Sequence, residues 1–204
     1  MTTIRALLID LGNVIVGLDF DRAYQAAERV SPYSAGEIPD RIRATGLSDR
    51  YERGEISSEA FYREFCGALE MGVSFEQFRE IWADMFRTEP LLSDSFLAAL
   101  GREQRMLLLS NTNEIHFEAI RARYPQLAHF DDYVLSYQVG AMKPEEAIYQ
   151  EAIRRAGCEP SRCFFTDDNE ANVSAARRAG IDAVVFAGEQ DLKRQLRRRG
   201  IAWE

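Results

Sequence analysis

The sequence predicts an α/β fold: a parallel sheet with helices on both faces and an α-helical domain inserted early in the chain. Three observations predict it. Apolar runs stop abruptly on polar residues: Ala6-Leu7-Leu8-Ile9 before Asp10, Met106-Leu107-Leu108-Leu109 before Ser110, and Cys163-Phe164-Phe165 before Asp167. Such runs read as strands buried on both faces. From Pro90 onward they alternate with helical patterns, as right-handed crossovers in a parallel sheet require. Between about residues 19 and 86, helical spacing runs without a strand signal.

Taken in order, residues 5–10 read as the first strand. Asp21–Val30, Ile38–Ala44, Ser58–Leu69 and Phe75–Phe86 read as helices with charged outer faces. Ser57-Ser58-Glu59 marks a helix start, and Ser74 with Gln77 has capping-box spacing. Asp94–Gly101 reads as a helix ended by its glycine, followed by a strand at Arg105–Ser110 and a helix at Glu114–Tyr124. A strand at Tyr133–Ser136 leads to a helix at Glu145–Ala156, with Pro144 placed for its first turn. Strand Arg162–Thr166, helix Ala171–Ala179, strand Asp182–Phe186 and helix Asp191–Arg199 complete the alternation.

A chain of 204 residues with 46% hydrophobic content suits one α/β domain with a sizeable insertion, or two small domains. The net charge of −8 argues against a nucleic-acid partner, and no apolar run is long enough for a membrane span. Lys193, Arg194, Arg197, Arg198 and Arg199 read as a solvated helix end that complements the helix dipole. Cys66, Cys158 and Cys163 are dispersed without metal spacing, and Met1 to Gly12 lacks a secretory pattern. Both point to a cytoplasmic protein. No partner-binding stripe stands out, and the sequence leaves the oligomeric state open.

The polar residues that end the strands carry the chemistry, because open α/β sheets bind ligands at the carboxyl ends of their strands. Asp10 either opens a turn with Gly12-Asn13 or serves as a carboxylate nucleophile toward phosphorus. Ser110 and Asn111 suit a phosphate oxygen, and Thr112 or Asn113 suits the cap of the next helix. Lys143 is either a surface lysine or an ammonium that neutralises a nucleophile and a transferring phosphoryl group. Asp167-Asp168 repel each other unless a cation sits nearby, and such hard oxygen ligands suit magnesium. Asn169 and Asn172 fit caps or supporting hydrogen bonds. His116 is a minor candidate beside the pocket, with packing as its simpler role. Asp19, Asp21, Glu52 and Glu55 fit sugar contacts and solvated helix faces equally well.

At these residues the chain resembles the haloacid dehalogenase-like hydrolase superfamily. Phe164-Phe165-Thr166-Asp167-Asp168 with Asn172 and Ala175-Ala176-Arg177-Arg178-Ala179-Gly180 resembles its last motif and following helix. Asp10-Leu11-Gly12-Asn13-Val14, Ser110-Asn111-Thr112-Asn113 and Arg53-Gly54-Glu55-Ile56-Ser57 resemble a bacterial helical-cap branch that includes α-D-glucose-1-phosphate phosphatase. The phosphatase domain of soluble epoxide hydrolases is more distantly similar. The resemblance implies a Rossmann-like core, residues 1–13 and 91–204, and an α-helical cap, residues 14–90. It implies a magnesium-dependent phosphatase of small phosphorylated metabolites, such as glucose 1-phosphate, acting through an aspartyl phosphate. Asp10 would be the nucleophile. Asp10, the Gly12 carbonyl and Asp168 would hold Mg2+, with Asp167 and Asn172 supporting them. Ser110, Asn111 and Lys143 would bind the phosphoryl group, and Lys143 would balance charge.

One position departs from the superfamily pattern. Two residues after the nucleophile, where these phosphatases usually carry an acid–base aspartate, this chain has Gly12. Asn13 does not titrate and cannot replace it. General acid–base help is typically worth about 10²–10⁴-fold, so good leaving groups and a slow second step are expected, with water or a substrate hydroxyl carrying the proton. A metal-independent dehalogenase, a phosphorylated signalling receiver and a non-catalytic phosphometabolite-binding protein are the competing readings. The acidic pair, its place last in the chain and Gly12 respectively bear on them.

Overall fold

The computed structural model describes residues 3–203. The chain enters through strand β1 (Ala6–Ile9), then forms the short strand β2 (Val16–Leu18). Five helices follow: α1 (Phe20–Glu28), α2 (Ile38–Thr45), α3 (Leu47–Glu52), α4 (Ser58–Ala68) and α5 (Phe75–Trp82). Strand β3 (Phe86–Pro90) returns antiparallel to β2, pairing Leu18 with Phe86 and Val16 with Pro90. The remainder alternates: α6 (Asp94–Glu103), β4 (Arg105–Ser110), α7 (Glu114–Arg123), β5 (Asp132–Leu135), α8 (Ser136–Val139), α9 (Glu146–Ala156), β6 (Cys163–Asp167), α10 (Glu170–Arg178), β7 (Asp182–Val185) and α11 (Glu189–Arg198).

The main sheet has the order β5-β4-β1-β6-β7, with every pair parallel. β1 is therefore the middle strand, with Leu8 registered against Leu107 on one side and Phe165 on the other. Its four residues are all buried. Because strand side chains alternate between faces, Leu7, Ile9, Met106, Leu108 and Phe164 enter one layer with α6 and α11. Ala6, Leu8, Leu107, Leu109 and Phe165 enter the other with α9 and α10. Burying a side chain of this size contributes roughly 1.5–3 kcal/mol, so both layers favour this register.

The helical insertion has its own core. Phe61 stacks on Tyr51 at 4.3 Å between ring centroids and meets Trp82 at 5.3 Å and Phe78 at 5.8 Å. Ile115 of α7 belongs to the same cluster, so the insertion rests on the sheet domain through apolar contact. Ser57 accepts from the Ala60 N–H, and Ser74 with Gln77 forms the reciprocal capping box that its spacing predicts.

Several local readings need correction. The helix expected through Phe86 ends at Trp82, and Phe86–Pro90 is a strand. That strand buries Phe86 and exposes the next three residues, so it lacks the alternation that signals a strand. Helix α3 carries no sequence signal of its own; Gly46, with φ of 64°, separates it from α2. Gly101 does not end its helix, which continues to Glu103. A Cβ there would lie 2.8 Å from the His129 carbonyl oxygen, so the glycine serves a close backbone approach. Pro144 precedes the helix rather than entering its first turn, because α9 begins after Glu145. The other boundaries agree within one or two residues. Among the described residues no helix is long and apolar enough to cross a membrane.

Candidate active site

The carboxyl ends of β1, β4, β5 and β6 meet at one edge of the sheet, and each ends on or next to a polar residue. Asp10 follows the middle strand and is held by its backbone N–H to the Thr166 carbonyl at 3.1 Å. The chain then turns sharply: Ile15 and Val16 donate to the Leu11 carbonyl, and Asn13 donates to the Val16 carbonyl. Asn13 adopts φ of 54°, a left-handed conformation that asparagine tolerates. Its side chain accepts from the Leu18 N–H at 3.2 Å and donates to Asp168 Oδ2 at 3.1 Å. The turn after the first strand is thus tied to the end of β6.

Lys143 occupies the centre. Its Nζ donates to Asp10 Oδ1 at 2.6 Å, Asp167 Oδ2 at 2.6 Å and the Leu109 carbonyl at 3.0 Å. These three bonds use every donor of the ammonium. Asn111 fixes its backbone from both ends, accepting from the Lys143 N–H at 2.7 Å and donating to the Lys143 carbonyl at 2.9 Å. The Asn111 amide thus anchors the lysine through its oxygen and one of its two N–H groups.

Asp167 is fully buried. Besides Lys143 it accepts from the Asn169 N–H at 2.8 Å and from Asn172 Nδ2 at 3.0 Å and 3.1 Å. Asp168 is exposed. Ligand oxygens of Asp10, Asp167 and Asp168 all lie within 4.8 Å of one another. Once ionised, three carboxylates around one ammonium leave two negative charges uncompensated. That donor set fits a hard divalent cation such as Mg2+. Burial pushes the Asp10 carboxyl up to about 7, against the pull of Lys143 and helped by Asp167. For Lys143, burial opposes the charge, yet the Asp10 and Asp167 carboxylates prevail and hold it above the ordinary lysine value.

Ser110 is buried at the end of β4, its Oγ 3.3 Å from the Asn111 carbonyl. Asn113 caps α7 by accepting from the His116 N–H. His116 is packed rather than free. Its Nδ1 meets Asn113 Nδ2 and its Nε2 the Trp82 carbonyl, each at 3.0 Å, and its ring stacks on Trp82. Burial pulls its pKa down to about 4, so it stays neutral.

A cavity of about 320 Å³ opens between this edge and the insertion. Gly12, Ser110 and Asn111 line its floor, and Arg43, Asp49 and Glu52 line its roof. Arg53 forms a two-pronged ion pair with Glu145, joining the insertion to the start of α9. At Gly54 an added Cβ would lie 2.1 Å from the Tyr137 carbonyl oxygen, so backbone from the two parts meets there directly. One contributor escapes the sequence reading. Ser136, fully buried, accepts from the Thr112 N–H and donates to the Thr112 carbonyl, both at 2.9 Å. Its position after β5 follows the same strand-end rule as Asp10 and Ser110. Of the four acidic residues that the sequence leaves open between sugar contact and solvated face, Glu52 lines the cavity. Asp19, by contrast, faces Arg87, and Asp21 and Glu55 are exposed.

The family model of haloacid dehalogenase-like hydrolases matches residues 4–180. The chain belongs to that family. This hydrolase is 26% identical over 201 residues to D-ribitol-5-phosphate phosphatase of Bacteroides thetaiotaomicron, covering 95% of this chain and 97% of the relative. It is 26% identical over 188 residues to phosphatase MT3486 of Mycobacterium tuberculosis, covering 89% and 86%. Its structure superposes with a TM-score of 0.83 on a HAD family enzyme of Bacteroides thetaiotaomicron in complex with magnesium and inorganic phosphate. The identity is 29%, with 91% of this chain and 96% of the other covered. The parallel sheet with helices on both faces is the Rossmann-like fold of this family.

Proposed function

We propose that this hydrolase is a magnesium-dependent, cytoplasmic phosphatase of small phosphorylated metabolites, with a polyol or sugar phosphate as substrate. The observation that carries the reading is the Asp10–Lys143–Asp167 cluster with Asp168 beside it. Full-length similarity to D-ribitol-5-phosphate phosphatase supports the substrate class. Glucose 1-phosphate remains a substrate to test beside D-ribitol 5-phosphate.

Asp10 attacks phosphorus, giving an aspartyl phosphate, and water then hydrolyses it. Lys143 orients the attacking carboxylate and spreads positive charge over a site that gains negative charge. Ser110 Oγ and the backbone N–H groups near Asn111 hold the phosphoryl oxygens. Asp10, Asp168 and the Gly12 carbonyl would hold Mg2+, with Asp167 and Asn172 supporting them, and the bound ion would offset the repulsion between carboxylate and phosphate. Residues 14–90 act as the cap over substrate, and residues 1–13 and 91–204 as the core. Three unpaired thiols support the cytoplasmic placement.

A dehalogenase reading fits less well. A departing halide would still meet the Asp167 and Asp168 carboxylates with only Lys143 to offset them, and the surplus negative charge repels it in a partly desolvated site. The test is phosphate release from a panel of polyol, sugar and acyl phosphates, with magnesium and with EDTA. Metal-dependent release that vanishes in Asp10→Asn is expected. Release that survives Asp10→Asn would remove the covalent mechanism, and release from nothing in the panel would remove the phosphatase reading.

A further inference from the structure

Cleaving an alkyl phosphate leaves an alkoxide that needs a proton, so the site requires an acid close to the leaving oxygen. The titratable groups at the sheet edge are committed. Asp10 faces phosphorus and Asp167 is saturated by Lys143, Asn169 and Asn172. Asp168 accepts from Asn13. His116 is bonded at both ring nitrogens and held neutral. Gly12 offers no side chain, and a Cβ there would already lie 3.0 Å from Leu18 Cδ1.

The roof of the cavity holds a different group. Glu52, the last residue of α3, is partly buried and lines the same cavity as Gly12, Ser110 and Asn111. Its neighbours are tied down: Arg50 pairs with Glu64 and Arg53 with Glu145. Glu52 itself makes no hydrogen bond or ion pair among the described residues. Its carboxyl borders the cavity with none of them bonded to it, so a ligand in the cavity can meet it directly. The contact at Gly54 and the Arg53–Glu145 pair fix this end of α3 against the sheet domain.

We propose that Glu52 is the general acid and then the general base of this hydrolase, supplied from the insertion in place of a side chain at Gly12. The proposal rests on the phosphatase reading and deepens it. In the first step the Asp10 oxygen bonds to phosphorus, the bond from phosphorus to the leaving oxygen breaks, and the Glu52 proton passes to that oxygen. In the second, Glu52 takes a proton from water as the water oxygen bonds to phosphorus and the bond to Asp10 breaks. The carboxyl is restored and phosphate leaves.

The protonation state agrees with this role. Burial pushes Glu52 up to about 7, Asp49 adds to the rise and Lys143 opposes it. The other ionisable groups facing the cavity are Tyr24 of α1, whose pKa burial raises so that it stays uncharged, Arg43 of α2 and the neutral His116 of α7. Tyr137 of α8, the helix under Gly54, has its pKa raised by burial and stays uncharged. A group near 7 serves both as acid and as base at neutral pH.

The experiment compares kcat/KM, which reports the first step, for the best alkyl phosphate of the panel and for acetyl phosphate. Acetate leaves without needing a proton. For Glu52→Gln we expect a fall of about 10²-fold or more on the alkyl ester, at least tenfold larger than the fall on acetyl phosphate. The alkaline limb of the wild-type pH profile near 7 should disappear, and Glu52→Asp should restore part of the alkyl rate. Equal losses on both substrates with the limb retained would assign Glu52 to binding and overturn the proposal. A wild type inactive on every substrate would instead overturn the phosphatase reading beneath it.

Discussion

The Nζ of Lys143 lies 2.6 Å from an oxygen of Asp10 and 2.6 Å from an oxygen of Asp167, so one cation serves two buried carboxylates. Lys143→Met removes that cation. Breaking a buried pair this way costs about 3–5 kcal/mol, or roughly 10 °C in Tm for a chain of this size. The deficit should shrink toward pH 4, where the orphaned carboxylates take up protons. Thermal melts at pH 7.5 and pH 4.5 check the prediction, and a pH-independent deficit would remove its electrostatic basis.

Magnesium should stabilise the folded chain. A ligand at 100 times its Kd adds about 2.7 kcal/mol, so Tm should rise by several degrees with magnesium and fall back with EDTA. Asp168→Asn should lose most of that rise while changing the metal-free Tm little, because Asp168 is exposed. A full magnesium response in this variant would place the ion elsewhere.

Asn111→Ala should act through Lys143. It removes two hydrogen bonds that hold the lysine backbone, at a cost of about 1–3 kcal/mol. A displaced ammonium should lower kcat by more than tenfold with the fold retained by circular dichroism. An unchanged kcat would show that the clamp is dispensable.

Glu52 links function to stability with a definite sign. Its folded pKa of about 7 lies above the ordinary 4.5. Between those values the folded chain keeps a proton that the unfolded chain has lost, so stability declines as pH rises through this window. Glu52→Gln escapes the decline. It should melt above wild type at pH 8 and level with it at pH 4. A variant no more stable at pH 8 would show that Glu52 is not strained by its surroundings.

The Arg53–Glu145 pair is partly exposed, with side chains 32% and 42% accessible, so its stability contribution should stay below about 1 kcal/mol. Its position between insertion and sheet domain predicts a different effect. Arg53→Ala should raise KM severalfold with Tm nearly unchanged. A large Tm loss with constant KM would make the pair purely structural.

The sheet was legible because a parallel strand buried on both faces must be an apolar run, and its polar end must point into the crevice. Asp10, Ser110 and Asp167 were found on that rule, whereas Lys143, which ends no strand, was singled out by its place before Pro144 and by the family resemblance. Ser136 obeys it too, yet one buried hydroxyl carries no pattern. Strand β3 was hidden because only Phe86 of its first four residues is buried. Gly101 misled because a glycine chosen for close approach to His129 looks like one chosen to end a helix. Glu52 was indistinguishable from a solvated charge, since its role depends on contacts between parts remote in sequence.

The ribbon of β2 and β3 places Val16 opposite Pro90, so the insertion leaves and rejoins the chain at neighbouring points. Lengthening, shortening or replacing what lies between therefore leaves the ends anchored and the sheet register undisturbed. In evolutionary terms the two halves of the molecule can drift at separate rates. Recombination at this ribbon exchanges the substrate-facing part in one event, and Glu52 with it, while the edge that carries Asp10, Lys143 and Asp167 passes unaltered from ancestor to descendant.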